Sequence, residues 1–312
     1  MGDATIPYGC EEFGRLTTVM MHRPGHELEL IGEDNYRHWL FDAVPDAARF
    51  IEEHDRYREL LQRHGVEVLE LGDYVNEHHE MVRGMPNLMY MHDIAVISRR
   101  GAILSSMAWE GRRDEEVVVR EALTTLGIPI FVEFDGAGEA FEGCLVLSPQ
   151  TVLVAETERH SRKAILRFID SALTQFEEVI YVDIPKARRY MHPDTIYNRA
   201  SLDTAVAYLP AFKATYLYTR EGARPIDFAQ HMRGKGVEIV NVSDSEQRRL
   251  ACSFVPLEPG VIFHYDTALD RETQALLAGR GVEVIPFHPD ALTAGGGSLR
   301  CITLRLHREP LS

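Results

Sequence analysis

Four kinds of side chain in this sequence could do covalent chemistry together: a thiol, an imidazole, carboxylates and arginines. The thiol is Cys301. It follows the run Gly295-Gly296-Gly297 by four residues and precedes the apolar stretch Ile302 to Leu306. Successive glycines open backbone conformations closed to other residues, so the segment is expected to be a loop that delivers one thiol to a cleft and is anchored by a strand. The alternative is a glycine turn whose cysteine is merely buried, as free cysteines often are. His192 and Asp194 stand two apart around Pro193. In an extended segment two such side chains share a face, and the proline stiffens it. A histidine and a carboxylate so placed form an acid/base pair. Asp93 sits at the entrance to the apolar run Ile94 to Ile97, and Glu142 stands beside Gly143 just before another. Arg112 and Arg159 are of the type that reads carboxylates bidentately. Taken singly, each of these residues also fits an ordinary role as a cap, a solvated acid or a surface charge.

Together they imply one chemistry. Negative charge discourages thiolate formation, so carboxylates around a thiol make sense when the substrate is itself a cation. A guanidinium gripped by two carboxylates meets that condition, and its charge would lower the pKa of the thiol that attacks it. Cys301 is then the expected nucleophile and His192 the expected acid/base.

The elements that must position these residues recur. Five segments share an outline of short apolar strands, an amphipathic helix and a closing strand often entered through glycine. The closing strands are Gly65 to Leu69, Gly127 to Phe131, Val179 to Val182, Gly236 to Val240 and Gly281 to Ile285. The helices before them are expected over Asp46 to His64, Asp114 to Leu126, Arg159 to Gln175, Pro225 to Met232 and Asp270 to Leu277. Leu16 to Met21 opens the first unit. Ile94 to Ile97 with Ala102 to Leu104, and Cys144 to Leu147 with Thr151 to Val154, form hairpins in the second and third. Ala205 to Tyr208 and Thr215 to Tyr218 open the fourth; Ser253 to Val255 and Val261 to Phe263 open the fifth. Five such units predict a repeat architecture, with an ordinary α/β sheet protein as the alternative. With no low-complexity stretch or linker, residues 1–312 are expected to form one domain.

Composition narrows the classes. The 312 residues are 45% hydrophobic and 26% charged, an ordinary globular balance. No apolar run approaches the ~18 residues of a membrane span. Met1 to Thr5 carry no secretory pattern, and Ile6 stands where a myristoylation motif needs Ser or Thr. Four dispersed cysteines without a Cys-x-x-Cys pair speak against structural zinc and a disulfide framework, and for reduced thiols in a cytoplasm. A formal charge of −15 disfavours nucleic acid and anionic membranes as partners. A homodimer is left open.

In order along the chain, Pro86-Asn87-Leu88 with Asp93, Glu142-Gly143, His192-x-Asp194-Thr195 and a glycine run before Cys301 resemble arginine deiminase, a member of the guanidino-group-modifying superfamily. His22-Arg23-Pro24-Gly25 and the stretches Leu40 to Asp42 and Glu53 to Asp55 resemble it too, so the likeness spans nearly the whole chain. The resemblance implies a five-bladed α/β propeller (pentein) of pseudo-fivefold ββαβ units. It implies that Cys301 attacks the guanidino carbon to form an amidino-thioether, and that His192 protonates the leaving amine and then activates water. Asp93 and Asp194 would hold the guanidinium nitrogens, and Glu142 would support His192. Asn87, Arg112 and Arg159 would bind the amino-acid end of the substrate. Neither metal nor organic cofactor is implied.

The sequence also departs from the family. Glu142-Gly143-Cys144-Leu145 stands where deiminases usually read Glu-Gly-Gly-Asp, and no arginine precedes the glycines of the cysteine loop. That loop is similar to the Gly-Gly-Gly-x-x-x-Cys of agmatine deiminases, with Arg300 in place of the commoner histidine. The helical insertion domain of bacterial arginine deiminases is expected to be missing. The expected activity is therefore hydrolysis of arginine or a close analogue to a ureido product and ammonia. Alternatives are an amidinotransferase, an arginine dihydrolase releasing ornithine, ammonia and carbon dioxide, and a non-catalytic guanidine-binding protein.

Overall fold

A computed structural model describes residues 6–10, 13–134, 136 and 138–311. Met1 to Thr5, which carry no targeting pattern in sequence, lie outside the described residues. Along the described chain run β1 (Leu16–Met21), α1 (Ala47–Arg63), β2 (Glu67–Glu70), a one-turn α2 (His79–Val82), β3 (Ala95–Ser98), β4 (Gly101–Leu104), α3 (Glu115–Thr125) and β5 (Ile130–Val132). There follow β6 (Leu145–Ser148), β7 (Thr151–Glu156), α4 (Arg162–Ala172), β8 (Glu178–Asp183), β9 (Tyr197–Arg199), β10 (Thr204–Ala207), β11 (Ala214–Thr219) and β12 (Gly222–Pro225). The chain ends with α5 (Phe228–Gly234), β13 (Glu238–Asn241), α6 (Asp244–Arg248), β14 (Val255–Glu258), β15 (Val261–Tyr265), α7 (Arg271–Gly279), β16 (Glu283–Phe287) and β17 (Leu304–Arg308). The fold is mixed α/β. No helix among the described residues is long and apolar enough to cross a membrane.

The strands form five separate sheets, and one pairing rule recurs in each. Two strands pair antiparallel, the second leads into a helix, and the strand after that helix returns parallel to the second. The rule holds for β3-β4-β5, β6-β7-β8 and β14-β15-β16, and for β9-β10-β13 with β11 and β12 inserted between β10 and α5. In the remaining sheet β1 pairs parallel with β2, and its antiparallel partner is β17 from the other end of the chain. The strand after Cys301 therefore ties the last loop to the first sheet.

Local signals explain the helix ends. Asp46 accepts from the Arg49 amide to cap α1, and His64 closes it. The third helix, expected from Arg159, begins at Arg162, because the Ser161 side chain accepts from the Ala164 amide and fixes the start there. Arg159 is thereby left in the preceding turn. The apolar face of α4, including Ile165, Phe168 and Ile169, is buried against Val152, Val154 and Val179 of its sheet; each such side chain stabilises the packing by ~1.5–3 kcal/mol.

The fourth unit differs from its sequence reading. Thr215 to Tyr218 does not open it. That stretch lies in β11, which pairs antiparallel with β8 and, with β12, widens the third sheet to five strands. The opening partner of β10 is instead β9, whose Tyr-Asn-Arg composition lacks the apolar alternation of a strand.

Candidate active site

One cleft gathers residues from far apart in the chain. Cys301, His192, Asp93, Asn87, Arg112 and Arg159 line it, together with Leu40, Tyr90, Arg188, Met191 and the three glycines 295–297. Asp93 comes from a 3-10 turn, Met91–Asp93, that leads into β3. The amide of the neighbouring His92 donates to the Cys301 carbonyl at 2.9 Å, which fixes the turn to the cysteine loop. Glu142 stands behind His192. Asp194 lines a smaller adjoining cavity with Asp93, Glu142, Cys144 and His192. His192 is extended, but Pro193–Thr195 form a 3-10 turn, so the same-face argument for His192 and Asp194 does not apply. Asp194 meets Ser253 at 3.3 Å and Arg300 Nε at 3.4 Å.

The imidazole is held between two acids. His192 Nε2 lies 2.9 Å from Glu142 Oε2, and Nδ1 lies 3.4 Å from Asp93 Oδ1. Burial opposes its charge, but Asp93 and then Glu142 outweigh burial and raise its pKa. Burial also pushes the Glu142 carboxyl up. The hydrogen bond from His192 and the charges of Arg159, His192 and Arg112 overcome it and hold that carboxyl at about 2. Glu142 accepts a further bond from the Ala108 amide at 2.8 Å, so it is oriented as well as ionised. Cys301 is 8% exposed, and burial, then Asp93 and Asp194, push its thiol pKa up, while Ser298 pulls the other way. The resting site thus places a thiol held toward its neutral form beside an imidazole held toward its charged form.

The two arginines are not equivalent. A guanidinium has five N–H donors. Those of Arg112 reach Glu115 twice, Asp93 at 2.7 Å and the Tyr90 carbonyl, which leaves one N–H toward the cleft. Arg159 is buried, and its Nε and one terminal nitrogen have no hydrogen-bond partner. Its acidic neighbours are Glu142 at 4.0 Å and Glu158 at 3.6 Å. Buried N–H groups of that kind call for an anion.

The glycines are required by close approach. A Cβ at Gly295 would lie 1.7 Å from the Tyr90 hydroxyl, and one at Gly297 would lie 2.4 Å from the Tyr90 ring. A Cβ at Gly296 would meet Asp42 at 2.6 Å, and that residue has a left-handed φ of 71°. The loop lies flat on Tyr90, and its Ala294 carbonyl accepts from the Asp42 amide at 2.7 Å. Tyr90, Arg188 and Ser298 carry no signal in the sequence that marks them as site residues. Arg188, four residues before His192, donates to Asp42 at 3.1 Å and to the Leu40 carbonyl, and looks like surface charge until the loop is in place. Among the described residues no group of three or more His, Cys, Asp and Glu side chains is placed to hold a metal ion.

The chain superposes on AgrE, solved as a ternary complex with ornithine and NAD+, with a TM-score of 0.69 and 17% identity; the match covers 95% of this chain and 40% of that one. It superposes on the N-terminal domain of ArgZ, a cyanobacterial arginine dihydrolase bound to product, with a TM-score of 0.68 and 16% identity over 92% of this chain and 96% of that one. The arginine deiminase of Mycoplasma capricolum is 24% identical over 393 aligned positions, covering 96% of each protein. The fold is that shared by these two solved structures. The arginine deiminase family profile matches residues 73–308, and the chain belongs to that family.

Proposed function

We propose that the chain hydrolyses the guanidino group of L-arginine, or a close arginine analogue, to citrulline and ammonia. The observation that carries the reading is His192 clamped between Asp93 and Glu142 on the wall of the cleft that holds Cys301. Membership of the arginine deiminase family supports it.

The substrate cation enters between Cys301 and Asp93, with Asp194 close behind. Its positive charge offsets the carboxylates that hold the thiol protonated, and the thiol releases its proton to solvent. The sulfur attacks the guanidino carbon. His192, charged because of its two carboxylates, protonates the departing nitrogen, and ammonia leaves an amidino-thioether. Neutral His192 then takes a proton from water, whose oxygen adds to the same carbon. The C–S bond breaks, giving the ureido product and the thiolate, which is reprotonated. Arg159 and Asn87 face the amino-acid end, and Arg112 offers its one open N–H while holding Asp93. Every residue used lies in one chain. A thiol nucleophile of this kind suits a reducing compartment such as the cytoplasm.

The repeated pairing rule of the five sheets, with β17 joining β1, supports the reading of the fold as a five-bladed propeller. The 393 aligned positions exceed the 312 residues of this chain, which supports a single domain lacking an insertion that its relatives carry. The likeness to the ArgZ domain supports a second reading, dihydrolysis to ornithine, ammonia and carbon dioxide. Mass spectrometry of the products formed from L-arginine separates the readings. Citrulline and ammonia in equal amounts are expected, with an amidino adduct on Cys301 during turnover. Ornithine would overturn hydrolysis in favour of dihydrolysis, or of amidino transfer if it formed only with an added amine.

A further inference from the structure

Four guanidinium groups converge on a small cavity that shares no lining residue with the Cys301 cleft. They belong to Arg199 of β9, Arg300, and Arg305 and Arg308 of β17. Pro256 of β14, Leu145 to Leu147 of β6, Asn198 of β9, Cys10 and Phe13 complete the wall, so four of the five sheets meet there. Arg300 and Arg308 are 3% and 4% exposed, and the Nε groups of Arg199, Arg300 and Arg305 are buried without a hydrogen-bond partner.

Among the described residues the charges are not neutralised. Among the described residues the one carboxylate in ion-pair range of any of the four is Asp194, 3.4 Å from Arg300 Nε. The other contacts go to neutral groups. Arg308 donates to the carbonyls of Gly14 and Pro256, Arg199 to those of Leu147, Ser201 and Leu202, and Arg305 meets His92 Nδ1 at 3.4 Å. Neutral acceptors satisfy N–H groups without cancelling charge. A buried unpaired ion costs several kcal/mol, and like charges in a poorly polarisable interior repel. Burial lowers the pKa of all four arginines, that of Arg308 to about 10. A chain with formal charge −15 has carboxylates to spare, yet three of these four arginines have none in ion-pair range among the described residues.

We propose that this cavity is an internal anion site and that its occupant is chloride. The buried, unpartnered Nε groups of Arg199 and Arg305, and four guanidiniums with one carboxylate among the described residues in range, define an anion rather than a water. The size of the cavity, about 20 Å³, selects a monatomic ion, since one water already needs roughly 10–15 Å³. Arg300 connects the site to Asp194 and is the residue before Cys301, so the anion braces the base of the cysteine loop. The site is independent of the reaction assigned to the cleft.

The test holds ionic strength constant while chloride replaces gluconate, and follows the melting temperature of the full chain. A saturable rise is expected, about 3 °C or more for a ligand that binds only the folded state. In Arg305→Gln the rise is lost. Because that variant could fail to fold, bromide is also soaked into crystals of the unaltered protein, with an anomalous peak expected among the four guanidiniums. A melting temperature identical in chloride and gluconate, or no bromide peak at the site, overturns the proposal; either result would mean that the chain neutralises these arginines itself. Stabilisation by phosphate at lower concentrations than chloride overturns the choice of a monatomic ion.

Discussion

His192 and Glu142 are both buried, and Nε2 of the first lies 2.9 Å from a carboxylate oxygen of the second. The bond does two things at once: it orients the ring and keeps it charged. Glu142→Gln keeps the shape but removes the charge that helps raise the His192 pKa. The acid/base contribution of such a group is about 10²–10⁴-fold, so kcat is expected to fall by roughly 10²-fold or more. His192 must be protonated to act as acid, so activity is lost as pH rises through its folded pKa. In Glu142→Gln that alkaline limb moves to lower pH. A pH–rate profile whose limb stays in place would show that Glu142 does not set the charge of His192.

The cysteine loop and Tyr90 are in steric register. Gly295→Ala places a methyl 1.7 Å from the Tyr90 hydroxyl, so turnover is expected to fall at least tenfold, because a displacement of about 1 Å near the reacting atoms can cost 10²-fold. Tyr90→Phe removes the clashing oxygen, and the ring carbon behind it lies 3.0 Å from the same methyl. The double variant should therefore recover part of the loss. If Tyr90→Phe gives Gly295→Ala no relief, the loop is restrained elsewhere.

Much of this arrangement is legible in the sequence where its cause is local. Asp46 and His64 bracket the first helix in sequence as they do in the structure, because caps act within a few residues. Asp93, Glu142 and Cys301 each stand two or three residues before a strand, a position readable from glycine and the apolar runs around them. What escapes is non-local. The pairing of β17 with β1 joins opposite ends of the chain. Nothing in Tyr197-Asn198-Arg199 marks a strand until β10 lies beside it. The Asp194–Arg300 contact, likewise, joins residues that only tertiary packing brings together.

A second buried histidine predicts a pH-dependent stability. His22 Nε2 lies 3.1 Å from Glu27, and Nδ1 lies 3.6 Å from Glu70. Burial lowers the pKa of the imidazole, but the two carboxylates overcome it and raise the value from 6.5 to about 9. A group whose folded pKa is raised adds stability that is fully present below its unfolded pKa and is lost as pH climbs through the folded one. The contribution is expected to be on the order of 3 kcal/mol near pH 6 and to vanish by about pH 9 to 10. The melting-temperature gap between the unaltered protein and His22→Asn should narrow over that window. A gap constant from pH 6 to pH 10 would mean that His22 gains nothing from being charged.

Arg159 and Arg112 should separate in their effects on substrate choice. Arg159 has two buried nitrogens without hydrogen-bond partners, and Arg112 has one open N–H because Asp93, Glu115 and Tyr90 take the rest. Arg159→Met keeps most of the bulk and removes the charge proposed to face the substrate carboxylate. Deleting a buried charge-assisted hydrogen bond of this kind costs about 2–3 kcal/mol, so kcat/KM for L-arginine is expected to fall roughly 30- to 150-fold. Agmatine carries the same guanidinium without the carboxylate, and its kcat/KM should change little. Arg112→Met frees Asp93 from its partner and disturbs the guanidinium end, so both substrates should suffer alike. Kinetics of the two variants on the two substrates decide the matter: equal losses of arginine and agmatine in Arg159→Met would place the carboxylate elsewhere, and an arginine-selective loss in Arg112→Met would place it there.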